Sequence, residues 1–284
     1  MLLRKGNAGS NTVADHIQVL GAAIAQIPAA FRRKILIRID GAGATHDLVR
    51  YLHGLNTTTR TVRFTVGWAI TEADEDAIAM VPEQAWTPSL TPDGEIDKDA
   101  QVAELTGLDP RGDTWLPGLR LLVRRTRPSR RHAKKLTAWE KRTGLRYAMV
   151  ATNITRIHGV PGTGHPQWLD LVHRLHAGVE DRVRTNKAMG LRNLPSQSWT
   201  VNTGWVLAAN IAADLDAWTR LLGLYDEPDL ARAEPDTLRY RLWHLPATLT
   251  SHARRRTLAI AATWPWAKAF TTCWQRLSAL PLPA

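Results

Sequence analysis

The sequence predicts an α/β protein, and three stretches carry that prediction. The run KILIRID, Lys34 to Asp40, is short and β-branched and ends in an acid before the glycines of GAGAT. A helix signal from Thr45 to His53 separates it from a second strand signal, TVRFTVGWAI, Thr61 to Ile70. Further on, HRLHAGVEDRVRTNK, His173 to Lys187, repeats its polar side chains at helical spacing. Strand, helix and strand in succession, with more helices behind them, fit a sheet covered by helices.

The totals narrow the class. At 284 residues there is material for one large domain or two modest ones. A hydrophobic content of 44% with 22% charged residues is that of a globular protein and excludes a disordered or fibrous chain. The formal charge of +11 and pI near 10.4 favour a polyanionic partner, nucleic acid first and an anionic membrane surface second. Cys273, the single cysteine, excludes an internal disulfide and a cysteine-rich zinc site and suits a reducing cytoplasm. Arg, Lys or Asp interrupts every run that approaches membrane-spanning length. MLLRKGNAGSN has a basic start but no apolar stretch behind it, so no signal peptide is expected. Helix and strand signals begin almost at once, as though the chain opens inside a domain.

Taken in order, GNAGSN (Gly6 to Asn11) is turn chemistry, and Ser10 or Asn11 is placed to cap a helix from Thr12 to Gln26. Ile17, Leu20 and Ile24 supply its apolar stripe. The Lys34 to Asp40 strand then puts Asp40 at the carboxyl edge of a sheet, where α/β proteins bind ligands. The plainer alternative is an Asp that makes an Asx-turn or caps the Thr45 to His53 helix. TVRFTVGWAI closes a first region, residues 1–71, and a short helix through EDAIAM follows it.

Residues 72–150 form a second region with a charge reversal. Glu72 to Asp113 holds twelve acids against two bases, whereas Arg120 to Arg142 holds ten Lys or Arg against Glu140 alone. LRLLVRR and LRYAMVATN, on either side of the basic turn, read as a hairpin. We therefore expect a β-rich insertion with an acidic patch and a basic arm, in which Arg124, Arg125, Arg130 and Arg131 contact a phosphate backbone. A solvated loop is the commoner fate of such a run.

The loop HGVPGTGHPQ leads into a third region, 151–195, built on the His173 to Lys187 helix. His173, His176, Glu180, Arg184 and Lys187 fall within roughly 60° of one another on a helix, with Leu175, Val179 and Val183 beside them to face a core. A carboxylate among cations is a place where a divalent metal and a phosphodiester meet; an ordinary amphipathic helix facing water is the plainer reading. The fourth region, 196–284, is expected to be helical. Ser198 to Leu224 reads as a largely buried helix through Trp205, Ile211, Leu215, Trp218 and Leu222, with Asp214 and Asp216 ion-paired or capping. Two or three amphipathic helices follow, carrying a second basic cluster, Arg254 to Arg256. The twelve tryptophans are expected mostly in the core.

Two acids stand out by position, Asp40 and Glu180. Phosphoryl transfer on nucleic acid commonly uses two divalent ions held by carboxylates, and Mg²⁺ or Mn²⁺ asks for oxygen ligands rather than His or Cys. No G-x-G-x-x-G follows a strand, and there is no P-loop, G-x-S-x-G or H-E-x-x-H. Zinc at His165, His173 and His176 is disfavoured by the cations around them.

The spacing His173-x2-His176-x3-Glu180-x6-Lys187 resembles the Tyr-x2-Arg-x3-Glu-x6-Lys signature of bacterial insertion-sequence transposases of the DDE type. GNAGSNTVADH, ILIRIDGAGATHD, VPEQAW, VAELTGL, EDRVRTNKAMGLRNLP and HARRRTLAIAATWPWA resemble the same group, over essentially the whole chain. The resemblance implies an RNase H-like core, interrupted by the β-rich insertion and followed by the helical region. It implies a metal-dependent DNA nucleotidyl transferase, cytoplasmic and associated with the nucleoid, acting on element ends and target DNA, with a homodimer in the DNA complex. Carried over residue by residue, Asp40 matches the second acid and Glu180 the third, as metal ligands and catalytic groups. Lys187 matches the lysine that contacts DNA, and His173 and His176 stand where the signature has Tyr and Arg. His176 lacks the permanent fork of an arginine, which weakens phosphate gripping there. The segment that precedes LLRKGNAGSN in the family, with the first acid and first strands, has no counterpart, and Asp15 belongs to the helix after the glycine turn. The expectation is thus an N-terminally truncated transposase, inactive alone, with an exposed sheet edge at Lys34 to Asp40. The alternative is a non-catalytic basic DNA-binding protein; an RNA-associated protein is weaker.

Overall fold

The computed structural model describes residues 2–5, 12–109, 111–175 and 177–281. The GNAGSN turn and His176 lie outside the described residues, as does the side chain of Arg131; the cap of the first helix is Thr12 rather than Ser10 or Asn11. The chain forms two compact units, Met1–Ala177 and Gly178–Ala284.

In the first unit α1 (Val13–Gln26) starts at a reciprocal cap: Thr12 Oγ1 accepts from Asp15 N–H, and the Asp15 carboxylate accepts from Thr12 N–H at 2.9 Å. β1 (Lys34–Ile39) follows, then α2 (His46–Gly54), capped by Thr45, and β2 (Thr61–Ala69). The acidic run supplies α3 (Glu72–Ala79), β3 (Thr87–Leu90), β4 (Ile96–Glu104) and α4 (Arg111–Trp115). The basic stretch supplies β5 (Arg120–Thr126), α5 (Arg130–Ala133), α6 (Ala138–Thr143) and β6 (Arg146–Thr152), and α7 (Pro166–Arg174) closes the unit. All six strands share one sheet in the order β1-β2-β6-β5-β4-β3, with β1 and β2 parallel and the other neighbours antiparallel. The β5–β6 hairpin expected from sequence is present, and β6 pairs with β2, so residues 72–150 extend the sheet that β1 and β2 begin. β1 lies at one edge.

Alternation decides the two faces. Ile37, Phe64, Val66 and Met149 point to one side, where Val13, Ile17 and Leu20 of α1 and Leu48, Val49 and Leu52 of α2 cover them. Leu122, Val150, Ile154 and Leu169, from β5, β6, the following loop and α7, form a smaller core on the other. Around that smaller core the sheet presents polar groups to α7.

The second unit contains α8 (Ala177–Asn186), a π-type turn at Lys187–Leu191, α9 (Trp199–Trp218) with a second such turn at Thr219–Gly223, α10 (Pro228–Ala231) and α11 (Pro235–Leu238). A third wide turn, Arg239–Trp243, leads to β7 (Ala247–His252) and β8 (Arg255–Ile260), and α12 (Ala267–Ser278) follows. Leu224, Leu230, Leu238, Leu242, Ala269 and Cys273 make its core.

Several expectations are corrected. His173 to Lys187 is not one helix: α7 ends at Arg174 and α8 begins at Ala177, so the stripe from His173 to Lys187 does not share one helical face. Leu175, Val179 and Val183 are exposed rather than packed, and without an apolar stripe to bury, nothing carries the helix through. A hairpin, β7–β8, replaces helix between Pro246 and Ala261, where the β-branched Thr248, Thr250, Thr257 and Ile260 favour strand. Among the tryptophans Trp86 is buried, Trp68, Trp115, Trp139, Trp168 and Trp266 pack partly buried against the cores, and Trp199, Trp205, Trp218, Trp243 and Trp274 are exposed.

The orientation of α9 is the sharpest correction. Its buried positions are Asn202, Val206, Ala209, Ala213 and Asp216, while Leu207, Ile211, Leu215 and Trp218 face out. The helix packs by its small residues, which allow close approach, rather than by its large ones. Asp214 and Asp216 are ion-paired, with Arg182 and Arg220. We expect Ala213→Leu to cost about 1–3 kcal/mol through overpacking and Ile211→Ala less than about 1 kcal/mol. Urea denaturation of both variants checks this, and the reverse ranking would mean that the large residues are the packed ones.

Candidate active site

Asp40 follows β1 directly and is exposed. Its backbone carbonyl accepts from Gly43 N–H at 3.0 Å, which starts a 3₁₀ turn over Gly41–Gly43, but its carboxylate caps nothing. The cap of α2 is Thr45, whose Oγ1 accepts from Leu48 N–H at 3.3 Å, so the plainer reading of Asp40 as a helix cap is not realised. Ile39 pairs with Val66 in the parallel register, which brings Asp40 beside Gly67 of β2. Gly41 rests on the same place: a β-carbon there would meet Gly67 O at 3.6 Å and Trp68 Cα at 3.7 Å.

Gly67 has a specific steric reason to be glycine. Any β-carbon on it would run into the His173 imidazole. That ring is held by its Nδ1, 2.9 Å from the buried Thr65 Oγ1, and Arg38 Nη1 donates to Val172 O at 3.0 Å. Arg38 and His173 thereby dock α7 over the carboxyl ends of β1 and β2, and Gly67 has Asp40 beside it in register and the His173 ring against it. Gly67→Ala is expected to expel the ring and cost about 1–3 kcal/mol, while Gly67→Ala added to His173→Ala costs much less, a coupling that a double-mutant cycle measures.

Two buried charge clusters brace this region, and neither was singled out from the sequence. On one face Trp68 packs against Trp115, and the Arg111 guanidinium stands 5.5 Å from the Trp68 ring. Arg111 also binds two buried acids, Asp74 by one Nη and Asp109 by backbone N–H (2.9 Å) and Nε (3.0 Å). Asp74 in turn caps α3 by accepting from Thr71 N–H and Oγ1. On the α7 side, buried Asp170 accepts from Ser89 Oγ at 2.6 Å and Arg174 Nε at 3.0 Å, with Arg124 Nε at 3.7 Å. The Thr71-x2-Asp74 and Asp170-x3-Arg174 spacings were available as local signals of both clusters.

Arg124 and Arg125, expected as phosphate contacts, are committed inside the molecule. Arg124 donates to Asp97 at 3.1 Å, and burial pushes its guanidinium down from the ordinary arginine range against the pull of Asp170 and Asp97. Arg125 binds Glu83 and Gln101 and lies 4.2 Å from the Trp86 ring. Arg130 is exposed on α5, in a connector where Arg127, Lys134, Lys135, Lys141, Arg142 and Arg146 are exposed too. Its one acid, Glu140, is buried, accepting from Thr137 N–H and Tyr147 N–H.

In the second unit Glu180 is exposed in the first turn of α8. Arg184 is bonded to Asp181 at 2.5 Å and to Glu234, and those bonds hold its guanidinium above the ordinary range. Lys187 is exposed at the start of the Lys187–Leu191 turn. Gly190, at φ 116°, shapes that turn, and Trp205 Nε1 donates to its carbonyl at 2.9 Å. Asp40 and His173 thus belong to the first unit and Glu180, Arg184 and Lys187 to the second. Among the described residues no three His, Cys, Asp or Glu side chains come together to hold a metal. Asp40 and Glu180 are hard oxygen donors of the kind Mg²⁺ or Mn²⁺ takes, and so fit such an ion in chemistry.

Residues 1–282 match the family model described as transposase DDE domain, group 1. No curated protein matches the chain.

Proposed function

The chain belongs to the DDE transposase family, group 1, and from that membership we propose that Asp40 and Glu180 are its second and third catalytic acids. The family's work is DNA transposition, its fold is RNase H-like and its chemistry is generally divalent-metal dependent. The observation that carries the assignment is Asp40: an exposed carboxylate with no capping role, at the carboxyl edge of β1, beside a glycine kept open for His173. Asp40 and Glu180 would each offer a carboxylate oxygen to a divalent ion, which when bound would supply Lewis-acid polarisation of the phosphodiester and a more acidic attacking water. Lys187 would neutralise a DNA phosphate near the cleaved end, and His173 fixes α7 through Thr65. His176 stands with Lys187 as a DNA contact. The motif positions matched here include two acids of three, and our reading is that the chain alone binds DNA and does not cut it. We place it with nucleoid DNA in the cytoplasm, as a homodimer when bound; no described helix is long and apolar enough to cross a membrane.

The test is Mg²⁺- or Mn²⁺-dependent nicking of supercoiled DNA by the purified chain, with Asp40→Asn and Glu180→Gln beside it. Binding without nicking in all three is expected. Nicking by the parent, lost in both variants, would overturn the inactivity and leave the acids assigned. Nicking that survives both substitutions would sink the assignment itself.

A second reading, a non-catalytic DNA-binding protein, is favoured by the β5–β6 connector, whose exposed cations face water while its only carboxylate is turned inward. Lys134→Ala with Lys135→Ala is expected to lower the slope of log K against log salt by about 2. Fluorescence anisotropy on random duplex DNA between low and physiological salt reads that slope, and an unchanged slope would remove the connector from the interface.

A further inference from the structure

We propose that the β7–β8 ribbon is a separate DNA-binding arm, which enters the major groove of duplex DNA tip first. The proposal rests on the DNA-binding reading above and adds a surface in the second unit to it.

Every residue of the two strands except Ile260 is exposed. A two-stranded ribbon with no covering layer is marginal by itself in water, so its sequence is not explained by burial. The turn is odder still. His252 pairs with Arg255, which leaves Ala253 and Arg254 as a two-residue loop at φ 48° and 64°. That left-handed turn suits Asn-Gly, and Ala and Arg occupy it against their steric preference. An arginine kept in such a position contributes its side chain rather than its backbone.

The charge says what that side chain meets. From Thr237 to Ala284 the sequence carries no Asp or Glu and seven Lys or Arg. Arg254, Arg255 and Arg256 stand together at the tip, and none of them makes an ion pair among the described residues. The register puts Thr248, Thr250 and His252 with Arg255 and Thr257 on one face, a row of hydroxyl, imidazole and guanidinium donors. The other face ends in Ser251 and Arg256 and carries its apolar pair, Leu249 and Leu258, further from the tip. Six-residue strands extend about 20 Å, and a two-stranded ribbon is one of the two elements that the roughly 12 Å wide major groove of B-DNA admits. Threonine methyls and arginine forks are suited to base edges there. A second copy of this chain is a poor occupant, since tip-to-tip contact would set six arginines against one another.

The test uses the full chain with random-sequence duplex DNA and fluorescence anisotropy over a salt series. Arg254→Ala with Arg255→Ala and Arg256→Ala should weaken binding at least about tenfold near 100 mM salt and lower the salt slope by about 2–3. Methyl green, a major-groove ligand, should compete with the parent for DNA much better than it competes with this variant, and distamycin in the minor groove should compete equally with both. Ala253→Asn with Arg254→Gly improves the turn while removing the tip arginine, so it should keep or raise the melting temperature and still bind more weakly. Unchanged affinity and unchanged methyl green competition in the triple variant would overturn the ribbon while leaving DNA binding in place. A chain that fails to bind duplex DNA even at low salt, or prefers RNA to it, would overturn both.

Discussion

Arg111→Met is expected to destabilise the first unit by about 3–5 kcal/mol, a fall of roughly 6–20 °C in melting temperature. Asp74 and Asp109 are both buried, and Arg111 is the cation that binds each of them. Methionine keeps much of the side-chain volume over Trp68 but leaves two carboxylates out of water with no counter-charge. The pH dependence follows from Asp109. Burial raises its carboxyl above the ordinary value, although the Arg111 N–H bonded to it pulls the other way. Between its unfolded and its raised folded pKa the native chain holds a proton that the unfolded chain releases, so its contribution to stability falls as pH rises through that window. Removing Arg111 deepens the effect. The deficit of Arg111→Met should therefore be larger at pH 7 than at pH 4.5, as urea titrations at the two values would read. A deficit under about 1 kcal/mol at pH 7 would mean that the two acids do not depend on Arg111.

The parts of this fold that were legible are those whose cause is local. α1, α2, β1, β2 and the β5–β6 hairpin each announce themselves by a period, a cap or a turn within a dozen residues, and the structure places them where those signals are. The position of Asp40 was legible for the same reason, since a strand that ends in an acid and breaks into glycine leaves the acid at the sheet's edge. The orientation of α9 was not. Size and hydrophobicity put Trp205, Ile211 and Trp218 inside, whereas what the second unit's packing accepts is the row of Asn202, Ala209 and Ala213. Partners across the fold were not legible either. A run of arginines gives a charge but not its neighbour, so the acids Asp97, Glu83 and Glu234 that pair with Arg124, Arg125 and Arg184 were not legible. Arg184, Arg130 and Lys187 are exposed, whereas Arg124 and Arg125 are partly buried.

Asp170→Ala is the other substitution expected to cost about 3–5 kcal/mol, and its consequence reaches the candidate active site. The carboxylate is the shared acceptor for Ser89 and Arg174, and it lies 3.7 Å from Arg124 Nε, a buried nitrogen with no hydrogen-bond partner among the described residues. Alanine leaves two half-buried guanidiniums facing one another. Asp170→Asn keeps an oxygen for Ser89 and loses only the charge, so about 1–3 kcal/mol is expected for it. α7 is fastened by Asp170 to β3 and β5, by Gln167 to the Pro88 carbonyl, by buried Leu169 in the smaller core, and by Arg38 and His173 to β1 and β2. Removing Asp170 takes away the buried acid that joins the middle of the helix to the sheet, so amide exchange along Trp168 to His173 should accelerate in Asp170→Ala even where the unit stays folded. The β5–β6 connector does not depend on this network, and DNA affinity at low salt should change less than about twofold. Fast exchange in α7 with intact DNA binding would separate the helix that carries His173 from the surface that holds DNA. Slow exchange in the alanine variant would mean that the remaining contacts of α7 hold it, and that Asp170 serves only to neutralise the arginines beside it.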